Sequence, residues 1–213
     1  SGLSRCQIIP DLDASRFIIT PAFYAVKAGL KLRATLLDGT TIVATAEAPA
    51  LDGIPVVLDI ANPKPWSPAS PFLYDLQLEV VDCDGSVIDS VKSYAGLRKV
   101  HIEGDKVYLN NEPIYQRLVL DQGFYPDGIW TAPNEEALKA DIELSMAAGF
   151  NGARLHQKVF EERFHYWADK LGYLTWGESS SWGCDVNDPI GARNFLSEWN
   201  EILLRDRNHP SII

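Results

Sequence analysis

Apolar and polar residues alternate one for one along much of the first hundred positions. Leu30, Leu32, Ala34 and Leu36 are separated by Lys31, Arg33 and Thr35, which sets the apolar side chains on one face of a pleated strand. Asp38-Gly39 follows, a favoured hairpin turn because glycine accepts positive φ, and Ile42, Ala44 and Ala46 continue the alternation on the return strand. A third run places Ile54, Val56, Leu58 and Ile60 on one face. A fourth places Tyr74, Leu76, Leu78 and Val80 opposite Asp75, Gln77 and Glu79, and Asp84-Gly85 marks a turn before Val87–Tyr94. Short alternating strands separated by turn signals predict an antiparallel β-sandwich over residues 1–98.

The period changes after about residue 98. Ile114–Leu120 reads as a short strand, and Asn134 as the N-cap of a helix. Glu135 and Glu136 suit the positive end of the helix dipole, and Leu138, Ile142 and Met146 repeat at helical spacing up to Gly149. Phe150–Leu155 is a second strand. Phe160, Phe164, Ala168 and Leu171 mark a second helix closed by Gly172, and Tyr173–Trp176 is a third strand. Pro189–Arg207 carries Phe195, Trp199, Ile202 and Leu203 as a third helix, and Ser211-Ile212-Ile213 begins a fourth strand. This β-α-β-α-β-α-β order implies a parallel sheet, in either a doubly wound fold or a TIM barrel. A complete barrel needs roughly 250 residues, so residues 99–213 read as a truncated one.

Composition narrows the function classes. A net charge of -10 and a pI near 4.8 argue against a nucleic-acid partner, which calls for clustered Lys and Arg. No apolar stretch is long enough for a membrane-spanning helix. Cys6, Cys83 and Cys184 have neither CxxC nor metal-ligand spacing and read as reduced thiols. The compartment stays open.

Ligands of parallel sheets bind at the C-terminal strand ends. Here these ends carry Asp121 and Gln122 after the first strand, Arg154 and His156 at the second, and Glu178 after the third. Nucleotide loops of the GxGxxG or GxxxxGK[ST] type, an HExxH pair and a GxSxG elbow are all missing from the sequence, and Ser179-Ser180-Ser181 reads as loop. The remaining set is acidic, with aromatic Tyr125, Trp130, Trp176 and Trp182 close by in sequence, as a sugar-binding mouth requires. Asp121 and Glu178 could pair for glycoside hydrolysis, which needs two carboxyl groups about 5–5.5 Å apart for retention or about 6.5–9.5 Å for inversion. The plainer alternative for each is an ion pair with Arg154.

Four segments resemble glycoside hydrolase family 2, which includes β-galactosidases, β-glucuronidases and β-mannosidases. Lys64-Pro65-Trp66-Ser67-Pro68-Ala69-Ser70-Pro71-Phe72-Leu73-Tyr74 resembles the W-S-P-x-x-P-x-L-Y segment of its middle sandwich domain. Phe150-Asn151-Gly152-Ala153-Arg154-Leu155-His156 resembles G-F-N-x-x-R-x-x-H on the second barrel strand, with the histidine one place earlier. Ala168–Glu178 resembles the third-strand pattern C/A-D-x-x-G-L-x-V-x-x-E, and Arg207–Ile213 the R-N-H-P-S-I-x that leads into strand four. Leu120–Gly128 is similar to one bacterial branch of the family.

The resemblance implies an immunoglobulin-like β-sandwich over residues 1–98, followed over 99–213 by the N-terminal half of a (β/α)8 TIM barrel. It implies a fragment of a retaining exo-β-glycosidase, β-galactosidase-like, acting on a carbohydrate substrate. The family's acid/base glutamate follows R-N-H-P-S-I-x and its nucleophile lies near strand seven, so both catalytic residues are expected beyond Ile213, and the fragment alone is expected to be inactive. The family's N-terminal jelly-roll is also outside the sequence. Asn200-Glu201 copies the letters of the catalytic dipeptide but precedes R-N-H-P, and reads as a solvated helix face. Arg154 is the best-matched mouth residue, with Asp121, His156, Glu178 and Trp176 beside it. Some β-galactosidases carry E-x-N-x-E-x-H metal ligands after strand three; the serines after Glu178 break that set, so neither metal nor other cofactor is expected. The open edges of a half barrel predict a homo-oligomer. A rival reading is a non-catalytic carbohydrate-binding or scaffold module.

Overall fold

The structure, a computed structural model, describes residues 2–185 and 187–213. The chain divides into two compact units, Ser1–Pro113 and Ile114–Ile213. In the first, β1 (Gly2–Asp11), β2 (Arg16–Ala25) and β5 (Val56–Asp59) form one antiparallel sheet. The other has the order β4-β3-β6-β7, from β3 (Lys31–Asp38), β4 (Thr41–Pro49), β6 (Tyr74–Val81) and β7 (Val87–Ala95). The predicted alternation becomes the core of this β-sandwich. Phe17, Ile19, Val56 and Leu58 from one sheet bury against Leu32, Leu36, Leu76 and Leu78 from the other, each such side chain contributing about 2 kcal/mol on removal from water. Trp66 is fully buried in this unit, and its N–H bonds the Leu97 carbonyl at 2.8 Å.

A small antiparallel sheet, β8 (Val100–Glu103), β9 (Lys106–Leu109) and β10 (Glu112–Pro113), completes the first unit. Asn110 ties it there. Its Oδ1 accepts the Lys99 N–H at 3.0 Å and its Nδ2 donates to the Trp66 carbonyl at 2.8 Å.

The second unit holds the parallel sheet β11 (Leu118–Asp121), β12 (Gly152–Leu155) and β13 (Leu174–Gly177), in that spatial order. Helix α1 (Glu135–Ala147) starts at Asn134, whose side chain accepts the Ala137 N–H at 2.9 Å. Helix α2 (Glu162–Leu171) ends on Gly172 at φ 78°, a left-handed cap that suits glycine. Helix α3 (Pro189–Asp206) starts on Asp188, whose carboxylate accepts the Ile190 and Gly191 N–H groups. The expected start of a fourth strand is present: Ile212 bridges Thr175 in parallel, with Thr175 N–H to Ser211 O at 2.9 Å and Ile213 N–H to Thr175 O at 3.1 Å. Val119, Ala153 and Leu155 bury against Leu138, Ile142, Phe164 and Ala168 of α1 and α2. On the other face a Cβ on Gly152 would lie 2.3 Å from the Leu174 carbonyl, so only glycine lets these strands approach.

Several expected apolar positions face outward. Ile42 is 64% exposed, because a register shift between Leu36 and Leu37 changes which side of β4 meets the core. Ile54 precedes β5 and is exposed, as are Met146 and Leu203. The first and second parallel strands begin later than the pattern suggests. Asn151 is the reason: its Oδ1 accepts the Arg117 N–H at 2.7 Å and its Nδ2 donates to the Tyr115 carbonyl at 2.9 Å. Side-chain bonds thus replace strand pairing over the first residues of both runs.

Candidate functional site

Three strand ends converge through register. Leu120, Arg154 and Trp176 are Cα partners across β11-β12-β13, as are Asp121, Leu155 and Gly177. Because side chains alternate along a strand, Arg154 and Trp176 stand on the face away from α1 and α2, whereas Asp121 shares the helix-packed side with Val119 and Leu155. Trp176 is 42% exposed.

Arg154 and Glu178 form an ion pair through Nε and Oε1. The second carboxylate oxygen of Glu178 accepts the Gln157 N–H at 3.1 Å. The Arg154 guanidinium therefore holds the Glu178 carboxyl below the ordinary glutamate value, with the Gln157 bond acting in the same direction. Of the two roles open to Glu178 in the sequence, the structure shows the ion pair. Both oxygens are taken, and the serines behind Glu178 are also engaged, Ser180 with the Gln157 carbonyl and Ser181 with the Gln157 side chain. These residues do not fit a divalent cation.

Asp121 is arranged differently. Its Oδ1 accepts the Gly123 N–H at 2.8 Å, and burial, followed by the charge of Asp141, pushes its carboxyl up from the usual value. It makes neither a pair with Arg154 nor one with Glu178. His156 joins the two loops instead: its backbone N–H donates to the Asp121 carbonyl at 2.7 Å, and its Nδ1 lies 3.1 Å from Gln122 Nε2. Arg154, Glu178 and Trp176 thus share one side, His156 bridges loops, and Asp121 braces its own turn. Asn200 and Glu201 lie exposed within α3.

Beside this rim lies a cavity of about 280 Å³, lined by Trp176, Glu178, Trp199, Ile202, Arg207 and Ile212 among others. Its aromatic and aliphatic walls beside a carboxylate can take a ring with apolar C–H faces and a polar edge.

Residues 11–98 match the family model described as glycosyl hydrolases family 2. The family 2 resemblance read in the sequence is borne out by the relatives as well. The chain is 29% identical to a β-galactosidase of Lactococcus lactis over 168 residues, covering 76% of this chain and 17% of that protein. It is 29% identical to a β-galactosidase of Aeromonas hydrophila over 235 aligned positions, covering 99% of this chain and 22% of that one. The chain therefore spans about a fifth of the length of these family 2 relatives. Among solved structures, the β-glucuronidase of Ruminococcus gnavus in complex with D-glucuronic acid matches all of this chain and 36% of its own, with a TM-score of 0.87 at 23% identity. The β-D-glucuronidase of Dictyoglomus thermophilum gives 0.83 at 22% identity, over 37% of its chain. At these identities the structural likeness speaks to the fold alone.

Two residues important to the site, Gln157 and Lys158, carry no sequence motif, and a third, Asp169, is the aspartate of the A-D-x-x-G pattern. Gln157 engages Glu178 and the serine loop. Lys158, only 9% exposed, donates to the Gly123 carbonyl at 3.1 Å and the Trp130 carbonyl at 2.8 Å, joining the loop after β11 to the one after β12. Asp169, fully buried, accepts from His209 at 2.6 Å and from the Ser211 N–H at 2.9 Å.

Proposed function

We propose that this chain is part of a retaining exo-β-glycosidase, β-galactosidase-like, whose catalytic glutamates lie outside these 213 residues. The Arg154–Glu178 pair carries the reading: it sits at the C-terminal edge of a parallel sheet, where such sheets place their chemistry. In this account the first 98 residues are an immunoglobulin-like sandwich, and residues 99–213 are the N-terminal half of a (β/α)8 barrel. The family match ending at residue 98 supports that boundary. Support for the barrel comes from four parallel strand positions in chain order, with α1 and α2 on one face and a half-exposed opposite face bearing Leu120 and Trp176. Both faces of a parallel sheet are ordinarily covered, and closure into a barrel covers this one.

Within the mouth, Arg154 is the side chain that orients carboxylates, since a planar guanidinium fixes both the distance and the plane of a partner oxygen pair. Trp176 offers a stacking face for the sugar, while Asp121, His156 and Glu178 hold the strand-end loops around it. Carbohydrate substrate, the remainder of the barrel and an N-terminal jelly-roll complete the assembly.

The test uses chromogenic β-galactoside, β-glucuronide and β-mannoside. The full-length protein is expected to cleave at least one, and residues 1–213 alone none. Turnover by residues 1–213 that disappears in Glu178→Gln would return catalysis to this chain and overturn the proposal.

A further inference from the structure

Gln157 leaves β12 in a left-handed conformation, φ 56°, which a non-glycine side chain adopts only where its surroundings hold it. Every polar group it has beyond that turn points at one loop. Its N–H donates to Glu178 Oε2 at 3.1 Å, and its carbonyl accepts the Ser180 hydroxyl. Its side-chain Oε1 accepts the Ser181 N–H at 2.8 Å, and its Nε2 donates to Ser181 Oγ at 3.3 Å. Gln157 also stands three residues after Arg154, where the family pattern has its histidine, and its partners are the serines that break the pattern after Glu178. The two departures meet in a single network.

We infer that Gln157 is a positioning residue: it clamps the loop of residues 178–181 to the end of β12 and so fixes the Glu178 carboxylate in the orientation that receives Arg154. Both amide atoms of Gln157 are spent on Ser181, so the residue acts through Glu178 and leaves the sugar to others. A carboxylate held on one side by a guanidinium and on the other by a backbone N–H has one available orientation. Arg154 then projects into the mouth with its own direction set. The inference rests on the glycosidase reading only for the identity of the mouth that Arg154 serves.

The test is hydrogen-exchange mass spectrometry of the full-length protein, read on the peptide covering residues 178–184, together with kinetics on the best chromogenic β-glycoside. Gln157→Ala keeps the backbone N–H and removes both amide bonds. It is expected to speed exchange in that peptide about ten-fold and to lower kcat/KM about ten-fold, the lowering falling on kcat, while exchange in α1 and the melting temperature stay unchanged. Ser181→Thr, which retains the hydroxyl and the N–H, keeps the slow exchange. Unchanged exchange in Gln157→Ala overturns the clamp. Faster exchange with kcat/KM intact overturns the positioning role. A wild-type protein that cleaves no β-glycoside overturns the glycosidase reading, and the exchange result still decides the clamp.

Discussion

Asp169 and His209, forty residues apart in sequence, meet at 2.6 Å between Oδ2 and Nδ1. The other oxygen of Asp169 accepts the Ser211 N–H at 2.9 Å, so one fully buried carboxylate in α2 anchors the segment that lies beside β13. The A-D-x-x-G and R-N-H-P-S patterns are thus two halves of one contact. Asp169→Ala removes the carboxylate that His209 and the Ser211 N–H share, and we expect a loss of about 3 kcal/mol in the second unit. Urea denaturation followed by the fluorescence of Trp167 and Trp176 measures it.

His165 lies in the same cluster, 2% exposed, with His209, Asp206, Asp169 and Arg205 around it. Burial is the main reason its imidazole is pushed down to about 4 from 6.5, with the nearby His209 adding to it. The unfolded chain therefore binds a proton between these two values that the folded chain refuses, and stability falls as pH drops from about 6.5 toward 4. The full effect approaches about 3 kcal/mol. Denaturation midpoints between pH 7 and 4.5 should show this acid limb in the wild type and a shallower one in His165→Leu.

Arg154→Ala removes the main cause that holds the Glu178 carboxyl down. The Glu178 titration should move upward toward the ordinary glutamate value, as read by side-chain carbon NMR of labelled protein. Both partners are substantially solvent-accessible, so the denaturation midpoint should hardly move. In the full-length protein kcat/KM is expected to fall on the order of 100-fold, because misplaced orienting groups cost that much.

Lys158→Met deletes the ammonium that lies 4.7 Å from the Phe160 ring centroid and binds the Gly123 and Trp130 carbonyls. A loss of about 2 kcal/mol follows from leaving those acceptors unpaired. Limited proteolysis should then cut within residues 122–131 sooner than in the wild type.

Trp66→Ala opens a large void in the first unit, where the side chain is fully buried. A cost of about 3–5 kcal/mol is expected in the first unit, measured by thermal denaturation.

Strict alternation made the sandwich readable. Leu32, Leu36, Leu76 and Leu78 face inward because period two leaves them no other choice. Asn134 and Gly172 were equally legible, since caps depend on local backbone chemistry. Ile42 was misread because a bulge at Leu36/Leu37 is a pairing event that no single strand announces. The side on which Asp121 falls depends on which residue opens β11, and that was decided by Asn151, thirty residues away. Gln157 and Lys158 lie in a turn without periodicity, and their partners are carbonyls and loop atoms far along the chain. Arg154, by contrast, was found through its motif, and its pairing with Glu178 follows from adjacent parallel strands in register.

The proposed parent of these residues is a retaining β-glycosidase. Proton NMR of the sugar first released by the full-length protein from an aryl β-glycoside tests it most directly. The account predicts the β-anomer, followed by slow mutarotation. Release of the α-anomer, or no cleavage of β-galactoside, β-glucuronide or β-mannoside, would contradict it.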